Sequence, residues 1–449
     1  MKEKNSYSVF LVLWFGQLIS SIGSGLTSFG LNIYVFQQTR SAAACSTVML
    51  CAFLPMVLLT PFSGVLADRY SRRILMLIGD FFSAICLCVM LAGIFSGRDN
   101  IVMICVCVFC SAIFSSLMDP SYKSTVTDLL TVEQFSKAGG LIQLASSAKF
   151  LIAPALAGII IKLGGIELIL MIDICTFFLT LLTVIYAGNL MEERQNLDKS
   201  KEFSFFSDLA EGWKSLIKNK GIMVLLTLST VITFYIGFVE TLLTPMLLEL
   251  TDSATLGVIT SVSAIGMLIS SIILGIKGIE KKYVNALAIS FSLMGILICF
   301  VGCITNLYII TVAGFLFFAM IPIANTCIDV LVRSNLEKET QGRVWGLISL
   351  ISQIGYIVAY GISGPLADYV FNPLFYHDGA LAESIGKIVG IGEERGIAFM
   401  MVFCGLSMFI FSIIIKSNKS MKRVEEEYLL KKKKITEGNL CLKKSFLEN

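Results

Sequence analysis

Six ionisable side chains stand inside stretches otherwise too apolar to hold them: Asp119, Lys123, Lys149, Asp173, Glu240 and Asp329. Asp80 lies nearer the end of its stretch. A charge left facing lipid at the centre of a membrane helix costs about 2.5–3.5 kcal/mol on insertion scales, so each is expected to face inward and to be paired or wet. Asp119 and Lys123 are four apart on one helix face and can pair, with Pro120 between them loosening the helix. Lys149 and Glu240 have no opposite charge within a helical turn or two. A carboxyl withdrawn from water holds a proton more readily than one in water, so the chemistry on offer is proton binding and release. Glu240 is the first candidate for that role and Asp119 the second. Lys123, Lys149, Asp173 and Asp329 are candidates for charges lining a cavity, with Gln17, Asn32, Gln143 and Gln353 as uncharged polar contacts. For Asp80, Asp173 and Asp329 the plainer reading is an acid that anchors a helix or loop.

The elements that must position these residues follow from composition. The 449-residue chain is 56% hydrophobic and 15% charged, with a mean hydropathy of +0.82. Apolar runs of about 20 residues, the length of one helical bilayer crossing, recur along nearly all of it. They lie near 8–37, 42–66, 74–96, 100–126, 139–162, 167–189, 221–249, 255–277, 283–303, 306–332, 342–366 and 397–416. A membrane barrel would alternate polar and apolar positions, and runs such as ILMLIGDFFSAICLCVMLAGIF do not. The expected fold is an all-α integral membrane protein of 12 transmembrane helices. The first apolar run is too long for a cleaved signal peptide.

Basic residues orient the spans. With the N-terminus in the cytoplasm, the great majority of the 35 Lys and Arg fall on the inner side. Only Arg40, Arg98, Lys162, Lys387 and Arg395 fall outside, and Lys149 lies within a span. The positive-inside rule then places both termini in the cytoplasm of a multi-pass protein of the cell membrane. The basic excess faces the inner leaflet, where anionic lipid attracts it. A net charge of +3 is too small to argue for nucleic acid as a partner.

Several function classes fall away. The 13 cysteines sit mostly inside spans, as in ICVCVFC (104–110), and act there as small apolar side chains. The single histidine, His377, is on an outer loop, so no metal site and no catalytic cluster is expected, and no cofactor is called for. No G-x-x-x-x-G-K-[ST] sequence marks a nucleotide site. No filter sequence of the kind around which channels oligomerise is visible, and the expectation is a monomer.

The chain divides near its middle. The stretch NLMEERQNLDKSKEFSFFSDLAEGWKSLIKNKG is the one long charged break between spans. Within it Phe206, Leu209, Trp213, Leu216 and Ile217 recur at helical spacing beside Lys214 and Lys218, the pattern of a helix lying on the inner membrane surface. The expected organisation is a six-helix bundle at 1–189, a cytoplasmic linker with this interfacial helix at 190–220, a second six-helix bundle at 221–416 and a basic cytoplasmic tail at 417–449. At an offset of 206, TVEQFSKAGGLIQLASSA (131–148) falls on EKETQGRVWGLISLISQI (337–354), a weak internal repeat placing a Gly-rich helix after a polar loop in each half.

The charged stretch GVLADRYSRRIL, from Gly64 to Leu75, joins the second and third spans on the cytoplasmic side. Gly64 is expected to permit close helix approach. Arg69, Arg72 and Arg73 hold the loop inside. Asp68 adds nothing to orientation and suits the N-terminus of a neighbouring helix, such as the span starting near Gly342.

This stretch resembles the signature loop of the major facilitator superfamily, G-x-L-a-D-r-x-G-R-[RK], with Ser71 in place of the second glycine. The corresponding loop of the second half, GIKGIEKKY (275–283), keeps a glycine and bases but lacks the Asp-Arg pair. GQLISSIGSGLTSFGLNIYVFQQTRSA (16–42), DPSYKSTVTDLLTVEQFSKAGGLIQ (119–143), GRVWGLIS (342–349) and FNPLFYHDGALAESIGKIVGIGEERGIAFM (371–400) resemble the proton-driven drug exporters that include the macrolide-efflux proteins, which are bacterial. The resemblance implies two bundles rocking about a central cavity, with a small-molecule or peptide substrate, protons and membrane lipid as partners. In LIAPALAG (151–158), Pro154 and Gly158 resemble an exporter motif, with Ala153 where the motif has glycine before proline. Pro154 bends the helix and Gly158 allows close packing. What the resemblance implies is antiport: export of a hydrophobic or amphipathic compound against protons. An importer of a small solute on the same fold is the alternative.

Overall fold

The computed structural model describes residues 3–98, 100–190, 213, 220–279, 282–335, 341–375, 379, 381 and 395–430. The side chains of Asp68 and of 333–346 lie outside the description, as do His377, most of the 190–220 linker and the tail beyond 430. The interfacial helix expected in the linker and the helix-capping role expected for Asp68 therefore fall outside it. No strand occurs among the described residues.

The helices in chain order are α1 (Glu3–Thr39), α2 (Ala42–Arg69), α3 (Arg72–Phe95), α4 (Ile101–Ser115), α5 (Met118–Leu129), α6 (Val132–Leu151), α7 (Ala153–Leu190), α8 (Lys220–Leu248), α9 (Ser253–Lys277), α10 (Tyr283–Cys303), α11 (Leu307–Asn335), α12 (Gln341–Leu366), α13 (Asn372–Leu374) and α14 (Arg395–Ser417). A π-helical segment, Ala367–Phe371, joins α12 to α13. Eleven helical stretches among the described residues are long and apolar enough to cross a membrane. One of them, Ala153–Gly188, is broken at Gly164 and at Gly165, whose φ of +68° and ψ of −171° only glycine adopts without strain. The part before the break continues α6 as the fifth span, and the part from Ile166 onward is the sixth. That division makes twelve.

Prolines place two further breaks. The fourth span is split between α4 and α5 at Ser116 and Leu117. Pro120 clashes with the carbonyl four residues back, which belongs to Ser116. The fifth span bends at Ile152, and Pro154 occupies the first turn of α7, where a missing N–H is tolerated. The Ala155 N–H beside it donates to Ser261 Oγ of α9 at 3.0 Å, so the bend leaves no orphan donor there.

The chain forms two compact units that do not follow chain order. The first takes Met1–Glu202 with Gly237–Ala264 and Ile357–Phe399. Its spine is a seam between α1 and the second part of α7. A Cβ at Gly16 would overlap Thr183, one at Gly23 would overlap Thr176 and Asp173, and one at Gly30 would press on Ile169. The three glycines recur every seven residues, and so do Thr183, Thr176 and Ile169 opposite them in reverse order, so the two helices run side by side in opposite directions. Small residues let the backbones approach where lipid provides no hydrophobic drive to pack.

The second unit takes Phe203–Ile236, Ile265–Tyr356 and Met400–Asn449. Gly295 and Gly405 bring the backbones of α10 and α14 together. Beside them Tyr235 packs on Phe291 and Phe411 and donates to Ser407 Oγ at 3.1 Å. The first part of the basic tail is helical over 419–430. Its Glu425 accepts from the Val284 N–H at 3.2 Å, supplying a carboxylate to the N-terminus of α10, and Tyr428 meets Tyr283 edge-on at 5.4 Å.

The loop between the second and third spans is shorter than its charge implies. α2 runs on to Arg69, which leaves Tyr70 and Ser71 as the link to α3. The close-approach role expected for Gly64 is corrected here: among the described residues a Cβ at Gly64 would meet no atom within 4 Å. The arginines do more than set orientation. Arg72 forms an ion pair with Asp128 and donates to the Ser124 carbonyl at 2.9 Å, tying the turn to α5. Arg73 donates to the Ile185 carbonyl near the end of α7 at 3.4 Å.

Candidate functional site

Asp173 and Glu240, far apart in the chain, both come within electrostatic reach of Lys149 in the first unit. α1 threads between two of them. Gly23 faces Asp173, while a Cβ at Gly25 would lie 3.0 Å from Lys149 Cγ and 2.7 Å from Ala153 Cβ. Two residues are about 200° of helix, so these glycines serve opposite flanks of α1. Glycine at both places lets two charged helices close on the same rod.

The surroundings of the three groups differ. Asp173 is 1% exposed and satisfied. Thr27 Oγ1 donates to its Oδ2 at 2.6 Å, and Thr176 Oγ1 lies 3.2 Å from its Oδ1. That is the geometry of an anchor between α1 and α7. Lys149 is half-buried. Glu240 has an exposed side chain, and its Oε2 accepts a hydrogen bond from Tyr360 Oη at 2.9 Å. Tyr360 is itself buried, with the Phe53 ring packed edge-on at 5.5 Å and 86°. Glu240 is eight residues from the end of α8, about 12 Å along the helix axis, and so at membrane depth. The arrangement can bind and release a proton at a carboxyl that a hydroxyl orients and a lysine charge senses.

The remaining sequence candidates are distributed. Asp119 and Lys123 form their pair, at 2.6 Å, with side chains 66% and 62% exposed. A pair so exposed stabilises by about 0.5 kcal/mol or less. Gln143 is exposed, and Gln17 is half-buried with Oε1 unpartnered among the described residues. Asn32 is buried, its amide 3.6 Å from Met49 Sδ and its Oδ1 without a partner among the described residues. Asp80 is buried with one oxygen unpartnered and lies within electrostatic reach of Asp173. Asp329 and Gln353 belong to the second unit, the former half-buried and partnered, the latter with a buried, unpartnered Oε1.

Pro154 and Gly158 lie on a second seam, between α7 and α9. A Cβ at Gly158 would overlap the Ser253 carbonyl, and one at Gly257 would overlap the Pro154 carbonyl. Ser253 Oγ donates to the Gly158 carbonyl at 3.2 Å.

Ion pairs gather at the loop end of this unit. Arg40 pairs with Glu249 at 3.1 Å and Lys162 with Asp252 at 2.8 Å. The hydrogen bond from Lys162, with those from Thr255, holds the Asp252 carboxyl well below the usual carboxylate range, so this exposed pair stays ionised in all but strong acid. Asp368, in the π-helical segment, accepts from Ser41 Oγ at 2.6 Å, Ala42 N at 3.1 Å and Ala43 N at 2.9 Å. It caps α2 from another helix. Replacing Asp368 with Ala leaves those donors without their acceptor and should lower stability by about 1–3 kcal/mol. A thermal melt of the purified variant that matched wild type would contradict this.

Tyr360 and Phe53 carry no signal in the sequence that sets them apart from other aromatic residues of the spans. For Asp368 one exists: SGPLAD (363–368) repeats SGVLAD (63–68) in all but one position. Asp368 caps the first turn of α2, and residue 68 falls in the last turn of that helix.

Helical stretches long and apolar enough to cross a membrane, with charges set inside them, make up nearly all of the described residues. The chain belongs to the Major Facilitator Superfamily, which it matches over residues 13–377. It is 25% identical over 402 residues to macrolide efflux protein A of Streptococcus pyogenes, covering 88% of this chain and 98% of that protein. Multidrug resistance protein 2 of Bacillus subtilis (strain 168) is 22% identical over 405 residues, with coverage of 86% and 94%. Among solved structures, the nucleoside transporter NupG superposes with a TM-score of 0.64 at 14% identity, covering 92% of this chain and 100% of that one. A bacterial homologue of the iron transporter ferroportin in an inward-facing state gives 0.69 at 14% identity, covering 92% and 99%. At such identity the likeness bears on fold alone. The protein is a multi-pass membrane transporter for small-molecule substrates, not an enzyme.

Proposed function

We propose that this transporter exports hydrophobic or amphipathic compounds, macrolide-like drugs or peptides, in exchange for protons. It works as a monomer in the cell membrane with both termini in the cytoplasm. Residues 1–189 and 221–416 are the two moving halves. The observation that carries the reading is Glu240, a carboxyl at membrane depth, held by Tyr360 and sensed by Lys149. Relatives named for macrolide efflux and multidrug resistance support the direction and the substrate class.

In this reading Glu240 takes a proton when the site opens outward and releases it when the site opens inward. Lys149 and the Tyr360 hydroxyl stabilise the carboxylate that remains after release. Substrate enters from the cytoplasm against that carboxylate and leaves when the next proton arrives. One proton moving inward through 100 mV releases about 2.3 kcal/mol before any pH gradient is added. That sustains a substrate gradient of about fiftyfold, since each 1.4 kcal/mol is a factor of ten.

Radiolabelled erythromycin tests the reading in cells with and without the protein. Accumulation should be lower in its presence, rise to the control level with a protonophore, and stay low when only ATP is depleted. Higher accumulation in its presence would mean import and contradict the proposal.

A further inference from the structure

We propose that Tyr360, clamped by Phe53, is a positioning residue that couples the proton held at Glu240 to the packing of α2 against α12. This rests on Glu240 being the coupling acid.

The geometry is a continuous seam inside the first unit. At its loop end Asp368 caps α2 through Ser41, Ala42 and Ala43. One turn further along α12, Gly364 lies against Ser46, Ala42 and Ala43, where a Cβ would overlap all three. Another turn along, the Phe53 ring meets the Tyr360 ring edge-on at 5.5 Å. Tyr360 then reaches past the seam to Glu240 on α8 at 2.9 Å. The chain from α2 to the acid is thus cap, small-residue contact, ring contact and hydrogen bond, in that order.

Each step has a physical consequence. A phenol has two side-chain torsions, and a ring packed on its edge restricts both. With Phe53 in place the hydroxyl is held on the carboxylate. When α2 and α12 part at the Asp368 end, the ring contact is lost and the hydroxyl is free to turn toward water. Loss of a hydrogen bond to a charged acceptor removes stabilisation of the carboxylate and favours proton uptake by about tenfold or more. Opening on that side therefore loads the proton, and closing expels it. The charged and titratable groups around Glu240 are Tyr360 on α12 and Lys149 on α6, with Asp173 on α7 acting in turn on Lys149. Among the described residues Tyr360 is the one that contacts the acid directly, and it is itself packed against α2.

Infrared titration of the purified full-length protein reads this without any substrate. The carboxylic-acid carbonyl band missing in E240Q belongs to Glu240, and its midpoint reports proton affinity. Tyr360→Phe should move that midpoint toward higher pH, by about tenfold in affinity. Phe53→Leu keeps the hydroxyl but loses the ring edge, and should move it the same way by less. It also serves if Tyr360→Phe folds poorly. Midpoints equal to wild type in both variants would overturn the inference. Erythromycin efflux that survives E240Q would instead overturn the role of Glu240 on which it rests, a different and separately readable result.

Discussion

Glu240→Gln is expected to bring proton-driven erythromycin efflux down to the level of cells lacking the protein. Glutamine matches the shape of a protonated glutamate, and its amide oxygen still accepts from Tyr360 Oη, which reaches Glu240 at 2.9 Å. It binds and releases no proton. The variant should therefore fold, reach the membrane and exchange substrate for substrate, while losing accumulation against a gradient. That split separates a coupling residue from a structural one, because a misfolded variant loses both. Asp119→Asn is the companion. Asp119 and Lys123 form an exposed pair at 2.6 Å, and breaking so exposed a pair changes little. Wild-type efflux in both variants would remove proton coupling from these two acids altogether.

Gly158→Val should produce the largest loss of folded protein. A Cβ at 158 would overlap the Ser253 carbonyl, and neither partner can yield without moving a backbone. The hydrogen bond from Ser253 Oγ to the Gly158 carbonyl would go with it. Overpacking of this kind costs about 1–3 kcal/mol, and more where the obstacle is backbone rather than side chain. Gly64→Ala is the internal control. A Cβ there meets nothing within 4 Å among the described residues, and alanine favours the helix by about 0.5–1 kcal/mol over glycine. Membrane abundance and thermal stability should fall steeply for Gly158→Val, less for Gly158→Ala, and stay level or rise for Gly64→Ala. Equal behaviour of the two alanine variants would contradict the packing account.

These two glycines also mark where sequence reading succeeds and where it stops. Spans are legible because a bilayer crossing demands about 20 apolar residues and tolerates few charges. Bends are legible at Pro120 and Pro154 because proline acts on its own helix, within one turn. Within one helix, spacing says which residues share a face. It does not say which other helix covers that face. Gly64 sat in a recognisable motif and has open space before it, whereas Gly16, Gly23 and Gly30 carry the α1–α7 seam with a heptad spacing that was there to be counted. Lys149 and Glu240 each stood alone in sequence because their neighbours come from distant helices, and that proximity depends on the packing of the whole unit. Tyr360 is indistinguishable in sequence from other aromatic residues of membrane helices, because its hydroxyl meets Glu240 only in the folded chain.

Proton exchange is the central claim, and purified protein in proteoliposomes with an acidic lumen, no ATP and no sodium tests it most directly. A luminal pH dye follows protons while radiolabelled erythromycin is followed in parallel, and vesicles carrying Glu240→Gln report the passive trapping of a weak base. Wild-type vesicles are predicted to take up erythromycin faster than Glu240→Gln vesicles, with matching extra loss of luminal protons, and a protonophore should abolish the excess. Wild-type uptake and proton loss equal to those of Glu240→Gln, or transport that begins only when ATP or sodium is supplied, would contradict it.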